Sequence, residues 1–215
     1  AAKKDNDEAI IDVREYINEM RVSSKNINIS FRTQNYGLSR NIISGVSEVF
    51  AKGFEAVIVL EDDCVPDKNF FNFMRSSLNF YGSNPGVMHI SAFGLPLRHK
   101  SEQDYYFTPY PCSWGWGTWK KDWDDCNFDN KKKYEKILRD YSMKKQFDWS
   151  GKSFSYFLRL HLDGKIDSWL IRWYVHIFIN KGLCLWATNS KLKNIGFDGT
   201  GSHKVRFDRF NQKID

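Results

Sequence analysis

The stretch VIVLEDDCVPDKNFF, Val57 to Phe71, decides the fold. Four apolar residues at 57–60 run directly into three consecutive carboxylates at 61–63. Because residues 56–60 are apolar on both faces, they predict a central strand of a parallel sheet. The carboxylates then fall at the carboxyl end of that strand, which is the edge of an open parallel sheet where ligands bind.

The residues before this strand predict a βαβ unit. Ile27, Ile29 and Phe31 alternate as in a half-buried strand, and a helix that opens at Ser39 and stops at Gly53 follows. We therefore expect a right-handed crossover between two parallel strands. Four apolar residues at helical spacing predict an earlier helix with one buried stripe: Ile10, Val13, Ile17 and Met20.

Downstream, the pattern predicts helices near 69–81, 134–143, 154–162 and 167–182, and strands from Val87 and Tyr105. The aromatic segment from Cys112 is expected to be irregular, and residues 183–187 form a short last strand. The tail from Asn189 is expected to be a loop that orders over a ligand. The predicted fold class is α/β, with a mixed, mostly parallel sheet flanked by helices.

Composition places the chain among folded domains. It has 215 residues, 41% of them apolar, which suits one domain with a substantial core. No apolar run approaches the length that spans a bilayer, and the first residues lack the apolar core of a signal peptide. Four widely spaced cysteines indicate neither a zinc ribbon nor a disulfide framework, and they favour reduced thiols in a cytoplasmic setting.

The charge balance favours anionic partners. A net charge of +6 arises from 32 Lys and Arg against 26 Asp and Glu. The sequence contains neither a recognition helix nor a paired Cys/His finger, so nucleic-acid binding is not expected.

The three carboxylates repel one another unless a cation or hydrogen-bond donors compensate. Oxygen ligands suit Mg²⁺ or Mn²⁺, which commonly complete their shell with substrate phosphates and water. The alternative is that such a cluster only caps the next helix or faces solvent. A buried strand that leads straight into the cluster favours the metal interpretation.

Four segments of this chain resemble segments of one enzyme family in the same order, and the resemblance extends over nearly the whole chain. VLEDDCVPDKNFF resembles the acidic metal motif of GT-A fold, family-2-like glycosyltransferases that use nucleotide sugars, including N-acetylglucosaminyltransferase I and bacterial polysaccharide sugar transferases. FRTQNYGLSRNIISGV, YPCSWGWGTW and the segment from DSWLIRWYVH resemble further pieces in the same order. The resemblance implies a nucleotide-sugar and metal half at 1–110, and an acceptor half with a closing loop at 111–215.

The resemblance also implies roles for the acidic residues. Asp63 would bind the metal, Asp62 would lie near the ribose or the metal, and Glu61 near hydroxyls of the donor sugar. The base for an inverting transfer would be Asp167, although the family reads Asp-Asp-Trp where this chain reads Asp-Ser-Trp. An equal alternative is that Asp167 or Ser168 only caps the following helix.

Other residues are candidates for ligand contacts, and several of them can also be interpreted as purely structural. Arg32, Asn35 and Arg40 are expected to contact the nucleotide, or else to form a turn and a solvated surface. The candidates for contact with the sugar or the acceptor are Trp114, Gly115, Trp116 and Trp169, although tryptophans such as Trp114 and Trp116 are more often core residues than sugar platforms. His203 is the candidate residue of a lid that excludes water.

The expected function is metal-dependent transfer with inversion from a UDP-sugar, such as UDP-N-acetylglucosamine, to a glycan or lipid-linked saccharide. Retention of configuration also occurs on this fold. The setting implied is bacterial polysaccharide synthesis, with peripheral contact to the anionic inner membrane face. In the resembling enzymes, strands that hold the uracil precede the segment with which this chain opens.

The alternative function is a non-catalytic module that binds glycan through aromatic side chains.

Overall fold

The computed structural model describes residues 7–23, 26–97, 102–149, 151, 153–197 and 214. Its helices are α1 (Asp7–Ser23), α2 (Gly37–Ala51), α3 (Phe70–Tyr81), α4 (Lys120–Asp124), α5 (Lys131–Arg139), α6 (Tyr141–Phe147), α7 (Phe154–Leu162) and α8 (Trp169–Ile179). Its strands are β1 (Ala56–Val59), β2 (Cys64–Pro66), β3 (Val87–Ser91), β4 (Tyr105–Thr108), β5 (Trp116–Trp119), β6 (Leu183–Ala187) and β7 (Leu192–Asn194).

The main sheet has five strands in the order β1-β5-β3-β6-β4. Only β3 and β6 pair in parallel within the described sheet, and the β1–β5, β3–β5 and β4–β6 pairs are antiparallel. The chain is therefore a mixed α/β protein, and the prediction of a mostly parallel sheet is wrong. The cause is β5, a strand in the aromatic segment that was expected to be irregular, which inserts between β1 and β3.

Three strands nevertheless share one direction. β1 and β3 are both antiparallel to β5, and β6 is parallel to β3, so β1, β3 and β6 end at the same edge of the sheet. We call this edge the carboxyl edge. The acidic residues after β1 lie at the carboxyl end of their strand as predicted, but β1 is an outer strand of the sheet rather than a central one.

The predicted βαβ unit is absent from the described residues, because 27–32 form no strand. Ile27 and Ile29 are half-buried between exposed neighbours, as the alternation predicts, but Phe31 is 42% exposed, so the predicted pattern holds only for the first two residues. A strand also needs a hydrogen-bonded neighbour, and no described strand pairs with this segment. α2 packs directly against β1 instead.

The helix α1 forms as predicted, but its apolar stripe is not buried. Ile10, Val13 and Met20 are 39%, 57% and 44% exposed. Arg14 is the observed link to the next segment: it lies over the Phe31 ring and donates to the Arg32 carbonyl. Helical spacing identified the helix, but spacing cannot show whether a second surface covers the stripe.

Two other boundaries differ for identifiable reasons. The helix predicted over 134–143 is divided into α5 and α6 at Asp140, whose side chain accepts a hydrogen bond from the Met143 amide and starts a new helix. The strand β6 is not the last strand, because β7 in the predicted loop pairs with β2 in a separate two-stranded sheet.

An aromatic stack fills the core beneath the main sheet. Trp116 stacks on Trp169 with ring centroids 4.8 Å apart and on His89 at 5.5 Å. His89 is fully buried; its Nδ1 accepts from the indole N–H of Trp173, and its Nε2 lies 3.1 Å from the Cys112 carbonyl. Since an indole only donates, Nδ1 is the acceptor in the pair with Trp173, and Nε2 also lies 3.3 Å from the Cys112 amide.

A second apolar cluster joins α5, α6 and α7 to α8, the most extensively buried helix. Its central residues are Tyr134, Ile137, Phe147, Leu158 and Tyr174. In the part of the chain that the structure describes, no helix combines the length and apolarity needed to cross a bilayer.

The burial of His89 predicts a pH-dependent stability. Burial lowers the pKa of His89 to about 3, so the folded state keeps this ring neutral where the unfolded chain takes up a proton below pH 6.5. The stabilising effect is therefore complete above pH 6.5 and is lost as the pH falls toward 3, by up to about 1.4 kcal/mol per pH unit.

Urea unfolding of the wild type and His89→Gln between pH 8 and 5 isolates this effect, since other titrating groups cancel in the difference. We expect the variant to be less stable at pH 8 and the difference to shrink below pH 6.5. A difference independent of pH would contradict a buried neutral His89.

Candidate functional site

The acidic segment forms a tight turn between the two sheets. The Cys64 amide donates to the Glu61 carbonyl at 3.0 Å, and the chain then enters β2. β2 pairs with β7, and the Asp63 carbonyl accepts from the Ile195 amide at 2.8 Å. The three carboxylates therefore lie at the carboxyl edge, beside the β2–β7 ladder.

Backbone hydrogen bonds fasten this region together. The Ala92 amide, after β3, donates to the Gly115 carbonyl, before β5, at 2.9 Å. The Lys191 amide donates to the Ala92 carbonyl, and the Lys191 carbonyl accepts from Asp67, each at 2.8 Å. Four segments that are distant in sequence are thereby fixed in register around the acidic turn.

Glu61 has a partly buried carboxyl group. Its Oε1 atom is buried and has no hydrogen-bond partner among the described residues. Burial, followed by the charges of Asp63 and Asp62, raises the pKa of Glu61 to about 7. The charge of Glu61 is also one of the causes that raise the pKa of the buried Cys112 thiol.

Asp63 is held against the segment that follows β7. A Cβ atom added at Gly196 would lie 2.6 Å from the Asp63 Oδ2, so a glycine there leaves room for the carboxylate. The other oxygen, Oδ1, lies 3.6 Å from the Cys64 thiol, which is buried as expected for a packed residue. Asp62 is exposed.

These residues suit a hard divalent cation in a substrate-completed site. Within residues 7–23, 26–97, 102–149 and 153–197, no ion pair involves Glu61, Asp62 or Asp63. The same residues contain no group of three or more Asp, Glu, His or Cys side chains placed to hold a metal. A cation would therefore need ligand oxygens and water besides the protein carboxylates, the arrangement usual for Mg²⁺.

Trp114 and Gly115 lie at this edge. Trp114 is half-buried, with its ring 4.8 Å from the Phe93 ring and 5.7 Å from that of Phe197, the residue after Gly196. Gly115 has φ +54°, and an added Cβ would lie 2.0 Å from the Leu192 Cδ2. The conformation and packing of the protein itself thus explain this glycine.

Trp116 and Trp169 lie in the core instead, at 0% and 3% exposure. They stack on each other and have no open ring face on which a sugar could lie. We therefore regard both as structural residues, which corrects their interpretation as sugar contacts.

The capping alternative that the sequence left open holds for Ser168. The Ser168 Oγ accepts from the Ile171 amide and caps α8. The side chain of Asp167 is 63% exposed and accepts from Arg172 Nη2 at 2.9 Å. Arg172 also donates to Ser39 at the start of α2 and thereby ties Asp167 to that helix.

The candidate residues around the start of α2 contact neighbouring residues of the same segment or α2 itself. The Asn35 side chain accepts from the Gly37 amide and forms a turn, and Arg32 pairs with Glu48 at 2.6 Å. Arg40 is exposed and lies 4.3 Å above the Tyr36 ring. The helix α2 packs against β1.

His203 lies outside the described residues. Gly196 and Arg172 were missed from the sequence, although an arginine inside the apolar run of α8 is a signal of a buried ion pair. The role of Gly196 depends on the β2–β7 pairing, which short strands do not reveal.

No protein-family model matches the chain, and no curated protein matches it.

Glu61→Gln should show how burial of this carboxyl affects stability. Because the pKa of Glu61 is raised to about 7 in the folded state, protonated Glu61 stabilises the fold fully below pH 4.5. This contribution to the free energy of unfolding is lost as the pH rises through about 7, where the buried carboxyl group ionises. Without metal we expect the variant to match the wild type at pH 4.5 and to be more stable by about 1–3 kcal/mol at pH 8.

Chemical unfolding with a chelator at both pH values measures this difference. Lower stability of Glu61→Gln at pH 8 would contradict the unpaired, buried placement of the carboxyl.

Proposed function

We propose that the chain is a GT-A-like domain that transfers a sugar from a nucleoside diphosphate sugar, of the UDP class, to a glycan or lipid-linked saccharide. The observation that carries this proposal is the acidic turn at the carboxyl edge, whose carboxylates have no cationic partner among the described residues. The four motifs in family order support it. A bacterial polysaccharide pathway at the inner membrane face is the setting that we propose.

In this proposal Asp63 holds a divalent cation, with Asp62 beside it. The cation neutralises the diphosphate and makes it a better leaving group. Glu61, beneath the turn, faces the donor sugar and accepts a hydrogen bond from one of its hydroxyls. Arg40, the exposed arginine near the start of α2, is the candidate for the phosphates.

Asp167 is the proposed general base. Arg172 binds its Oδ1 and orients the carboxylate, and Oδ2 takes the proton from the acceptor hydroxyl. The acceptor oxygen forms the new bond to the anomeric carbon as the bond from that carbon to the diphosphate breaks. Attack from the opposite face inverts the configuration.

Calorimetric titration of the chain with UDP and Mn²⁺ tests the donor site. We expect metal-dependent binding that weakens by more than about tenfold in Asp63→Ala, since the loss of a residue that only supports a metal ligand already costs about that much. Asp163→Ala is the matched control, since it removes an exposed carboxylate at the end of α7.

UDP binding that survives chelation and Asp63→Ala would overturn the proposal. Glycan binding without metal, together with no UDP binding, would favour the alternative of a non-catalytic glycan-binding module.

Gly196→Ala tests the placement of Asp63. The added methyl must displace the Asp63 carboxylate or the chain after β7. We expect Mn²⁺-dependent UDP binding to weaken about tenfold, with unfolding changed far less than binding. Gly86→Ala, at a turn far from Asp63 in sequence, is a suitable control, and unchanged binding in Gly196→Ala would contradict the contact.

A further inference from the structure

The positive charge of the chain is concentrated in one segment. Residues 131–159 contain nine Lys and Arg against three Asp and Glu, an excess that equals the net charge of +6 for the whole chain. The three acidic residues are engaged locally: Glu135 pairs with Arg139, Asp140 caps α6, and Asp148 binds Ser155. Among the described residues, no ion pair involves a lysine of this segment.

The same segment exposes large aromatic side chains. Tyr141 is 82% exposed and Trp149 is 79% exposed. Together with neighbouring side chains they form a surface that we call the α6–α7 face: Tyr141, Lys144, Lys145, Trp149, Tyr156 and Phe157, all exposed.

Packing explains why these side chains point outward. Met143 and Phe147 turn the inner side of α6 toward the second apolar cluster. Tyr141, Lys144 and Lys145 are three and four residues apart and share the opposite side of the helix.

The Trp149 side chain is held next to α7. Asp148 accepts from both the amide and the hydroxyl of Ser155, at 2.7 and 2.6 Å. This fixes the turn that carries Trp149 beside the first turn of α7, where Tyr156 and Phe157 are exposed with ring centroids 6.1 Å apart.

We propose that the α6–α7 face binds an anionic lipid bilayer. Trp and Tyr side chains favour the membrane interface, where the ring is partly dehydrated and its polar end stays in water. Lysines beside them are attracted to anionic head groups. Aromatic anchors and positive charge on one surface are the two signals that together give stable peripheral attachment.

A single-stranded nucleic acid is the competing partner for basic and aromatic surfaces. Proteins that bind single-stranded nucleic acid hold the backbone in a positively charged groove, and the bases stack on aromatic side chains of that groove. Rings exposed by about four fifths protrude from the surface instead of lining a groove. This favours insertion into a lipid interface.

Cosedimentation with lipid vesicles tests the proposal on the full chain, without nucleotide or metal, so the result does not depend on the transferase proposal. The vesicles contain phosphatidylcholine alone or with about 30 mol % phosphatidylserine. We expect binding to the anionic vesicles only. Lys144→Gln/Lys145→Gln should lower the partition coefficient about 20-fold or more, and Tyr141→Ala/Trp149→Ala about tenfold.

Matched controls are Lys52→Gln/Lys68→Gln, which removes two exposed lysines elsewhere, and Phe80→Ala, which removes a ring that is 76% exposed. Both controls should bind as the wild type does. The proposal is overturned if the wild type does not bind anionic vesicles, if the α6–α7 variants bind unchanged, or if the controls lose as much. Loss of oligothymidylate binding in these variants, with vesicle binding intact, would assign the face to single-stranded nucleic acid.

Discussion

Burial of the Glu61 carboxyl group beside the carboxylates of Asp62 and Asp63 is the constraint on which the carboxyl edge depends. The turn between β1 and β2 holds Glu61 in a partly buried position, where its Oε1 atom has no hydrogen-bond partner among the described residues. Burial, followed by the charges of Asp63 and Asp62, raises the pKa of Glu61. A protein can tolerate such a cost where a ligand relieves it. In the site that we propose, a cation would supply the positive charge and a diphosphate would supply further oxygen ligands to that cation.

The rest of the structure holds this turn in place. The β2–β7 ladder and the backbone bonds among Ala92, Gly115 and Lys191 bind four distant segments at one edge. The aromatic stack of Trp116 and Trp169 fixes β5 on α8, and Arg172 of α8 positions Asp167. Acidic turn and proposed base thus depend on one continuous framework, although they come from opposite halves of the chain.

Much of this framework could be predicted from sequence, and the failures have physical causes. Local periodicity located α2, α3, α7, α8, β1, β3, β4 and β6, because those segments carry their own pattern. The prediction of strand direction failed because it depends on β5. The glycine-rich and tryptophan-rich sequence of β5 does not show the pattern of a strand. Trp116 and Trp169 were assigned to the sugar since composition cannot distinguish a buried ring from an exposed one. The contact between Gly196 and Asp63 exists only once β7 pairs with β2.

The acidic turn and the α6–α7 face are separate surfaces with separate chemistry, and the first is central to the account. The most direct test is a crystal structure of the chain with Mn²⁺ and UDP, with anomalous diffraction used to locate the manganese. The account predicts an anomalous peak bonded to a carboxylate oxygen of Asp63 and to the diphosphate. A peak elsewhere, or UDP bound away from the turn after β1, would contradict it.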